Sequence, residues 1–282
     1  MKRLGVIGVG LMGGSLALAS REKRLFESIA GYSRSVESLQ TALDLKIIDL
    51  ALSLEELIES SDLIALAVPV ETIVSMSPKL ESAKKSAVFV DLGSAKTAIV
   101  RAILPSIRAR FVAAHPMCGT EYSGPKAAFS SLYNDRIVVL CDTEANDADA
   151  LNEVEGLFNA IGMKIVKMKA VDHDRHAAFI SHLPHAISYA LANSVLSQED
   201  KESILALAAG GFRDMSRLAK SSASMWIDVF KQNKNAIIAA LDRFNKELKK
   251  GETLLKNDEW QALKEWMKEA NTLHEIFTQS KS

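Results

Sequence analysis

The chain has 282 residues, and its 34 Lys and Arg against 35 Asp and Glu give a formal net charge of −1. At roughly 100–200 residues per domain this length predicts two domains, each able to bury a core. Apolar residues make up 48% and charged residues 24%, as in an ordinary globular protein, and near-zero charge gives no electrostatic footprint for nucleic acid or an anionic membrane.

Two cysteines, Cys118 and Cys141, are too few for a disulfide scaffold and predict a reducing, cytoplasmic compartment. The longest apolar run, Leu63 to Val70, spans 8 residues and contains a proline. A membrane-spanning helix needs about 20, so no span is expected.

In chain order, Leu4 to Ile7 reads as a strand and Leu11 to Ala19 as the start of a helix, with Gly8-x-Gly10-x-x-Gly13 between them. Gly8 suits the tight turn, Gly10 lets the backbone approach a pyrophosphate, and Gly13 lets helix and strand pack closely. Free N–H groups at the helix start, from Leu11 and Met12 onward, would face the phosphates. Lys2, Arg3 and the apolar stretch after them also suit a signal peptide, but a signal peptide needs no glycine spacing. Ser28 to Tyr32 reads as the second strand. An acid for the ribose 2′-hydroxyl normally follows about 20 residues past the glycines. Ser33 and Arg34 stand there instead, a pair able to bind a 2′-phosphate. NADP, or use of both dinucleotides, is the expectation, with Arg34 solvated or stacked on adenine as the alternative.

Asp62 to Val70, Ala87 to Asp91, Phe111 to Ala114, Arg136 to Cys141 and Lys164 to Met168 continue as strands, and Asp147 to Ala160 as a helix closed by Gly162. Strands alternating with helices predict a doubly wound, mostly parallel sheet over residues 1–170. From 171 to 282 helical periodicity dominates, with helices expected over 172–197, 199–209, 213–220, 224–249 and 257–277. Trp260, Leu263, Trp266, Met267 and Ala270 form an apolar stripe on the last helix. It suits packing within its own subunit or, by preference, a homodimer interface.

Ligands of open α/β sheets bind beyond the carboxyl ends of strands. The residues at those ends are the glycine turn, Val68-Pro69, Asp91 to Lys96, and His115 to Glu121. His115 is the best acid–base candidate, because imidazole titrates near neutral pH. Ser94 would bond the same substrate oxygen, orient His115, or cap the helix that follows. The pairs His173/His176 and His182/His185 have helical spacing. Zinc is conceivable there, but with no HExxH pattern and with Pro184 inside the second pair, the expectation is no metal and a cleft role for His185. Arg213 and Arg217 can face one way, and a guanidinium suits bidentate carboxylate capture; a surface salt bridge to Asp214 is the alternative.

The segments Gly8-x-Gly-x-x-Gly13, Val68-Pro69, Asp91-x-Gly-Ser-x-Lys96, His115-Pro-x-x-Gly-Thr-Glu121, Ser181-His-Leu-Pro-His185 and Gly210-Gly-Phe-Arg-Asp-Met-Ser-Arg217 occur in that order. Over about residues 1–230 they resemble the prephenate/arogenate dehydrogenase family of tyrosine biosynthesis. The resemblance implies a Rossmann-type domain that binds NAD(P) and a helical domain for substrate and dimerisation. It implies oxidative decarboxylation of prephenate to 4-hydroxyphenylpyruvate, or of arogenate to tyrosine. By the same resemblance His115 acts on the ring hydroxyl, Ser94 bonds it, and Arg217 holds the ring carboxylate. His185, Thr120, Glu121, Gly210 and Trp226 belong to the substrate pocket. Gly8, Gly10, Leu11, Met12, Gly13, Ser33, Arg34, Val68 and Pro69 belong to the cofactor site. The length fits the two catalytic-core domains without a fused mutase or regulatory module. Ser33-Arg34 departs from the common acidic residue of the family. A β-hydroxyacid dehydrogenase would also suit the glycine turn and helical half, although that class uses a lysine of its helical domain. A dinucleotide-sensing regulatory protein would need the glycines but not His115, Ser94 and Arg217 together.

Overall fold

The computed structural model describes residues 2–120 and 122–279, the side chains of 277–279 excepted. The strands are β1 (Arg3–Ile7), β2 (Ser28–Tyr32), β3 (Leu50–Ala51), β4 (Leu63–Leu66), β5 (Val88–Asp91), β6 (Phe111–Pro116), β7 (Ile137–Cys141) and β8 (Lys164–Met168). The helices that accompany them are α1 (Leu11–Glu22), α2 (Val36–Asp44), α3 (Leu54–Ser60), α4 (Val70–Met76), α5 (Thr97–Ala102), α6 (Pro105–Arg108) and α7 (Ala148–Ala160). Beyond β8 the chain is helical: α8 (Ala170–Ala177), α9 (Leu183–Leu196), α10 (Lys201–Ala206), α11 (Gly210–Ser216), α12 (Ala223–Gln232), α13 (Lys234–Lys256) and α14 (Trp260–Gln279).

The strands form one sheet in the order β3-β2-β1-β4-β5-β6-β7-β8. All neighbours run parallel except β6 and β7. Alternation along the strands divides the core between the two faces. Leu63, Ala65, Val88 and Val90 join one apolar cluster; Ile64, Leu66 and Phe89 join the other. Each buried Leu, Ile, Val or Phe among them contributes about 1.5–3 kcal/mol. Because β1, β4, β5 and β6 are parallel, the segments that follow them emerge along one edge. The order reverses between β1 and β4, which opens a crevice there.

The expected strands are observed, with differences in extent and in the helices. The strand expected over 62–70 ends at Leu66, because Pro69 caps α4 from Val70. The helix expected over 213–220 after a break at Gly210-Gly211 instead starts at Gly210 as α11 and tightens to a 3₁₀ turn over Arg217–Lys220. β3 pairs with β2 but has two residues, too short for periodicity to register. The helix expected over 172–197 is interrupted by a π-helical turn at Ala178–His182. That wider turn precedes Pro184, which has no N–H to give to the helix ladder. The helix expected over 224–249 breaks at Asn233, which leaves helical dihedrals (φ −114°, ψ 25°) and commits its side chain elsewhere.

The strands end at Met168, near the expected boundary at 170, whereas the compact units are Met1–Lys234 and Asn235–Ser282. Within the second unit α13 and α14 meet where Gly251 lies under the Trp266 ring; a Cβ on Gly251 would come within 3.2 Å of it. The Trp266 indole N–H donates to Glu247 (3.1 Å). Of the apolar stripe on α14, Leu263 is buried while Trp260 and Met267 are exposed. Among the described residues, no helix is long and apolar enough to cross a membrane.

Candidate active site

The glycine turn connects β1 to α1. Gly8 has φ +99°, and a Cβ there would lie 2.4 Å from the Ala67 carbonyl oxygen at the end of β4. A Cβ on Gly13 would lie 2.0 Å from the Gly8 carbonyl oxygen. Both positions therefore need glycine, one for the left-handed turn and one for close helix–strand approach. Gly10 differs: a Cβ there would meet nothing within 4 Å. It is the N-cap of α1, whose first turn, including Leu11 and Met12, carries no acidic residue. Open space, free N–H groups and the positive end of the helix dipole fit a dinucleotide pyrophosphate. Val68 and Pro69 lead into α4, with Pro69 as its N-cap. Ser33 and Arg34 follow β2; the Ser33 hydroxyl accepts from the Ser35 N–H (3.2 Å), and Arg34 is exposed.

His115 ends β6 and is half-buried. Its Nδ1 lies 2.8 Å from Nε2 of His173 on α8. His173 Nδ1 lies 2.9 Å from Asp174 Oδ1. The Asp174 carboxylate accepts the backbone N–H groups of Lys96 (2.7 Å) and Thr97 (2.9 Å), so an acid from α8 caps α5. Ser94, which the sequence offered for that cap, does not take it. It is half-buried and has no hydrogen bond among the described residues. Behind His115, the buried Lys96 ammonium pairs with Asp91 and donates to the Ala114 carbonyl (2.6 Å). Asp91 in turn accepts from the N–H groups of Gly93 (2.9 Å) and Ala114 (3.1 Å).

These neighbours set the charges. Burial, with His173, Lys96 and His182 acting in the same direction, holds His115 well below the usual imidazole range. Neutral His115 is thus the resting form, as a base requires. Burial opposes ionisation of Asp174, but hydrogen bonds from His173, Lys96 and Thr97 outweigh it and hold the carboxyl below its ordinary value. Burial pushes Asp91 up, against the pull of Lys96.

A second group gathers His185, Trp226, His182 and Arg217. His185 stacks on Trp226, and His182 meets the same indole edge-on at 6.0 Å. Burial lowers the His185 pKa, the hydrogen bond to the Ser181 carbonyl opposes it, and exposed Arg217 adds a smaller lowering. Asn233 joins the two groups: its amide donates to the Asp174 carbonyl oxygen (2.7 Å) and lies 3.1 Å from His182 Nδ1. Gly210 opens α11 in open space. Thr120 is exposed, and its hydroxyl accepts from the Tyr122 N–H (3.3 Å). Glu121 lies outside the described residues.

At His173/His176 zinc meets an obstacle, because both ring nitrogens of His173 are engaged and His176 turns to Arg175. At His182/His185 both rings pack against Trp226, and the Nδ1 atoms face Asn233 and the Ser181 carbonyl. Cys118 and Cys141 are free thiols, each pushed up to about 12 by burial. Asp174 and Asn233 were not among the site residues anticipated from sequence, and Lys96 was named only as the end of the Asp91 to Lys96 segment. An Asp-His-Asp run just past the last strand was the available signal for Asp174.

A family model described as prephenate dehydrogenase, nucleotide-binding domain, matches residues 16–167. One described as prephenate dehydrogenase, dimerization domain, matches residues 169–269. The chain belongs to the prephenate dehydrogenase family. Among relatives of this family, cyclohexadienyl dehydrogenase of Zymomonas mobilis is 32% identical over 280 residues, covering 95% of this chain and 94% of that one. Prephenate dehydrogenase of Aquifex aeolicus, solved with hydroxyphenyl propionate and NAD+, superposes with a TM-score of 0.92 at 32% identity, covering 98% of both chains. Synechocystis arogenate dehydrogenase gives a TM-score of 0.82 at 28% identity, covering 98% of this chain and 99% of that one.

Proposed function

We propose that this enzyme carries out NAD(P)+-dependent oxidative decarboxylation of prephenate to 4-hydroxyphenylpyruvate, or of arogenate to tyrosine, in tyrosine biosynthesis. The observation that carries the reading is His115: a neutral imidazole at the carboxyl edge of the sheet, with Nδ1 held by His173 and Nε2 without a partner among the described residues. A bound NAD(P)+ supplies the hydride acceptor. Gly8, Gly10, Leu11, Met12 and Gly13 hold its pyrophosphate, with Val68 and Pro69 across the crevice.

His115 takes the proton of the ring hydroxyl at Nε2. Electron density released onto the carbinol carbon favours hydride departure, and loss of the ring carboxylate as carbon dioxide then yields the aromatic ring. Ser94 bonds the same hydroxyl. Arg217 holds the ring carboxylate by a paired, charge-assisted contact. His185 and Trp226 wall the pocket, with Thr120 and Gly210 at its margin; the resemblance adds Glu121 as a substrate residue. Ser33 and Arg34 suit the 2′-phosphate of NADP, or use of both dinucleotides. The helical region, including the exposed Trp260 and Met267 of α14, forms a homodimer interface. The two free thiols agree with a cytoplasmic location.

The test is a matrix of initial rates with prephenate and arogenate, each with NAD+ and NADP+, against 3-hydroxy acids as controls. Turnover of a cyclohexadienyl substrate is the expected result, with Arg34→Ala weakening NADP+ more than NAD+. Turnover of 3-hydroxy acids alone would overturn the reading.

A further inference from the structure

We infer that His173 and Asp174 are positioning residues that fix the tautomer of His115, so that its Nε2 presents a lone pair to the substrate. This rests on the proposed role of His115 as the base.

The assignment propagates outward from the buried end of the chain of hydrogen bonds. Asp174 accepts two backbone N–H groups, from Lys96 and Thr97, so its carboxylate is ionised and can only accept. The 2.9 Å contact with His173 Nδ1 therefore places a proton on that nitrogen. His173 is buried at 2% exposure, and with its ring proton at Nδ1 given to Asp174 it has a lone pair at Nε2. The 2.8 Å contact between His173 Nε2 and His115 Nδ1 then needs its proton on His115 Nδ1. What remains at His115 Nε2 is an acceptor, the form a general base must have.

The backbone is held as firmly as the ring. Lys96 and Asp91 together bond the carbonyl and N–H of Ala114, the residue before His115. The charged and titratable groups around His115 are thus the Lys96–Asp91 pair from the β5–α5 connection, His173 and Asp174 from α8, and His182 from the π-helical turn. When His115 gains a proton at Nε2, its Nδ1–H bond to His173 strengthens, and Asp174 supplies the balancing charge at the far end.

An asparagine at 174 cannot satisfy the same donors. Its N–H₂ either takes the Oδ2 place, facing the Thr97 N–H and leaving no negative charge to balance a protonated His115, or takes the Oδ1 place, facing both the Lys96 N–H and His173 Nδ1. Facing His173, it reverses the whole chain and puts the proton on His115 Nε2. Asp174→Asn is therefore expected to lower kcat by about 10²–10⁴-fold, with KM and the dissociation constant of NAD(P)+ nearly unchanged. Because Asp174 also caps α5, His173 gives a second route. His173→Leu removes the acceptor and lowers kcat comparably, whereas His173→Gln supplies an amide oxygen for the His115 Nδ1–H and recovers activity to within about tenfold of wild type.

The deciding measurement is long-range ¹H–¹⁵N correlation of the histidine rings in the wild-type enzyme and in Asp174→Asn, alongside kcat–pH profiles of all variants. Protonation of His115 at Nδ1 in the wild type, with kcat lowered in Asp174→Asn whichever nitrogen is protonated there, is the expected result. Protonation at Nε2 in the wild type, or a His173→Leu variant with wild-type kcat and pH profile, overturns the inference. Near-normal turnover in His115→Asn would instead remove the base itself, whatever tautomer is observed.

Discussion

His185 and Trp226 lie face to face, with ring centroids 3.5 Å apart and planes inclined by 25°. The His185 Nδ1–H donates to the Ser181 carbonyl (2.9 Å), so the imidazole is fixed at one edge while its face rests on the indole. Trp226 is itself buried at 7% exposure, with Phe230 against its edge. Truncating so large a buried ring costs about 3–5 kcal/mol. Trp226→Ala should lose stability of that order in urea unfolding and raise the substrate KM, while Trp226→Phe keeps an aromatic face for His185 and loses less of both. Equal KM values for the two variants would remove the stacked pair from the pocket wall.

The three glycines of the β1–α1 turn separate folding from binding. Gly13→Ala places a methyl group 2.0 Å from the Gly8 carbonyl oxygen, so α1 must move off β1. Gly10→Ala meets no protein atom within 4 Å. The Gly13 variant should therefore show a lowered Tm. The Gly10 variant should keep its Tm but bind NAD(P)+ more weakly, because its methyl group occupies space proposed for the pyrophosphate. Thermal unfolding and cofactor titration check the pair, and a similar Tm loss in both would contradict this division.

That contrast also shows what was legible in the sequence. Gly-x-Gly-x-x-Gly between a strand and a helix is a local pattern, and the apolar runs mark buried strands because both sheet faces are covered. The candidate site was only partly legible. His115 could be picked out by its place at a strand end. Its support could not, because Asp174 caps α5 from 78 residues away and Asn233 reaches back 59 residues to Asp174. Such partners are set by tertiary packing, and no short spacing encodes them. The break at Asn233 was hidden for the same reason: its side chain serves α8 and the π-helical turn, so local helix propensity is overridden.

Arg217 tests the substrate end of the site. It is exposed, and its proposed partner is the substrate's ring carboxylate. Arg217→Gln removes a charged, hydrogen-bonded contact commonly contributing about 1.5–3 kcal/mol, so kcat/KM should fall about ten- to a hundredfold, chiefly through KM. Lysine carries the charge but not the planar fork, so Arg217→Lys should recover only part of the loss. An unchanged KM in Arg217→Gln would place the carboxylate elsewhere.

His115→Asn tests the chemical step. An asparagine cannot accept and hold the hydroxyl proton, and general-base assistance commonly contributes about 10²–10⁴-fold. The expected result is a fall in kcat of that size with NAD(P)+ affinity retained, measured by steady-state rates and cofactor titration.

His182 makes stability depend on pH. Burial, with smaller effects from His173 and His185, lowers its pKa from 6.5 to about 4 in spite of the nearby Asp174 carboxylate. Between those two values the unfolded chain binds a proton at this residue that the folded protein does not. Stability is therefore complete above pH 6.5 and declines as the pH falls toward about 4, by about 3 kcal/mol for this group. His115 and His185, also lowered by burial, act in the same direction. Urea unfolding at pH 7.5, 6 and 5 should show the decline, and His182→Asn should make it shallower. A wild-type stability that stays flat over this range would mean that His182 is already charged, or already solvated, in the folded enzyme.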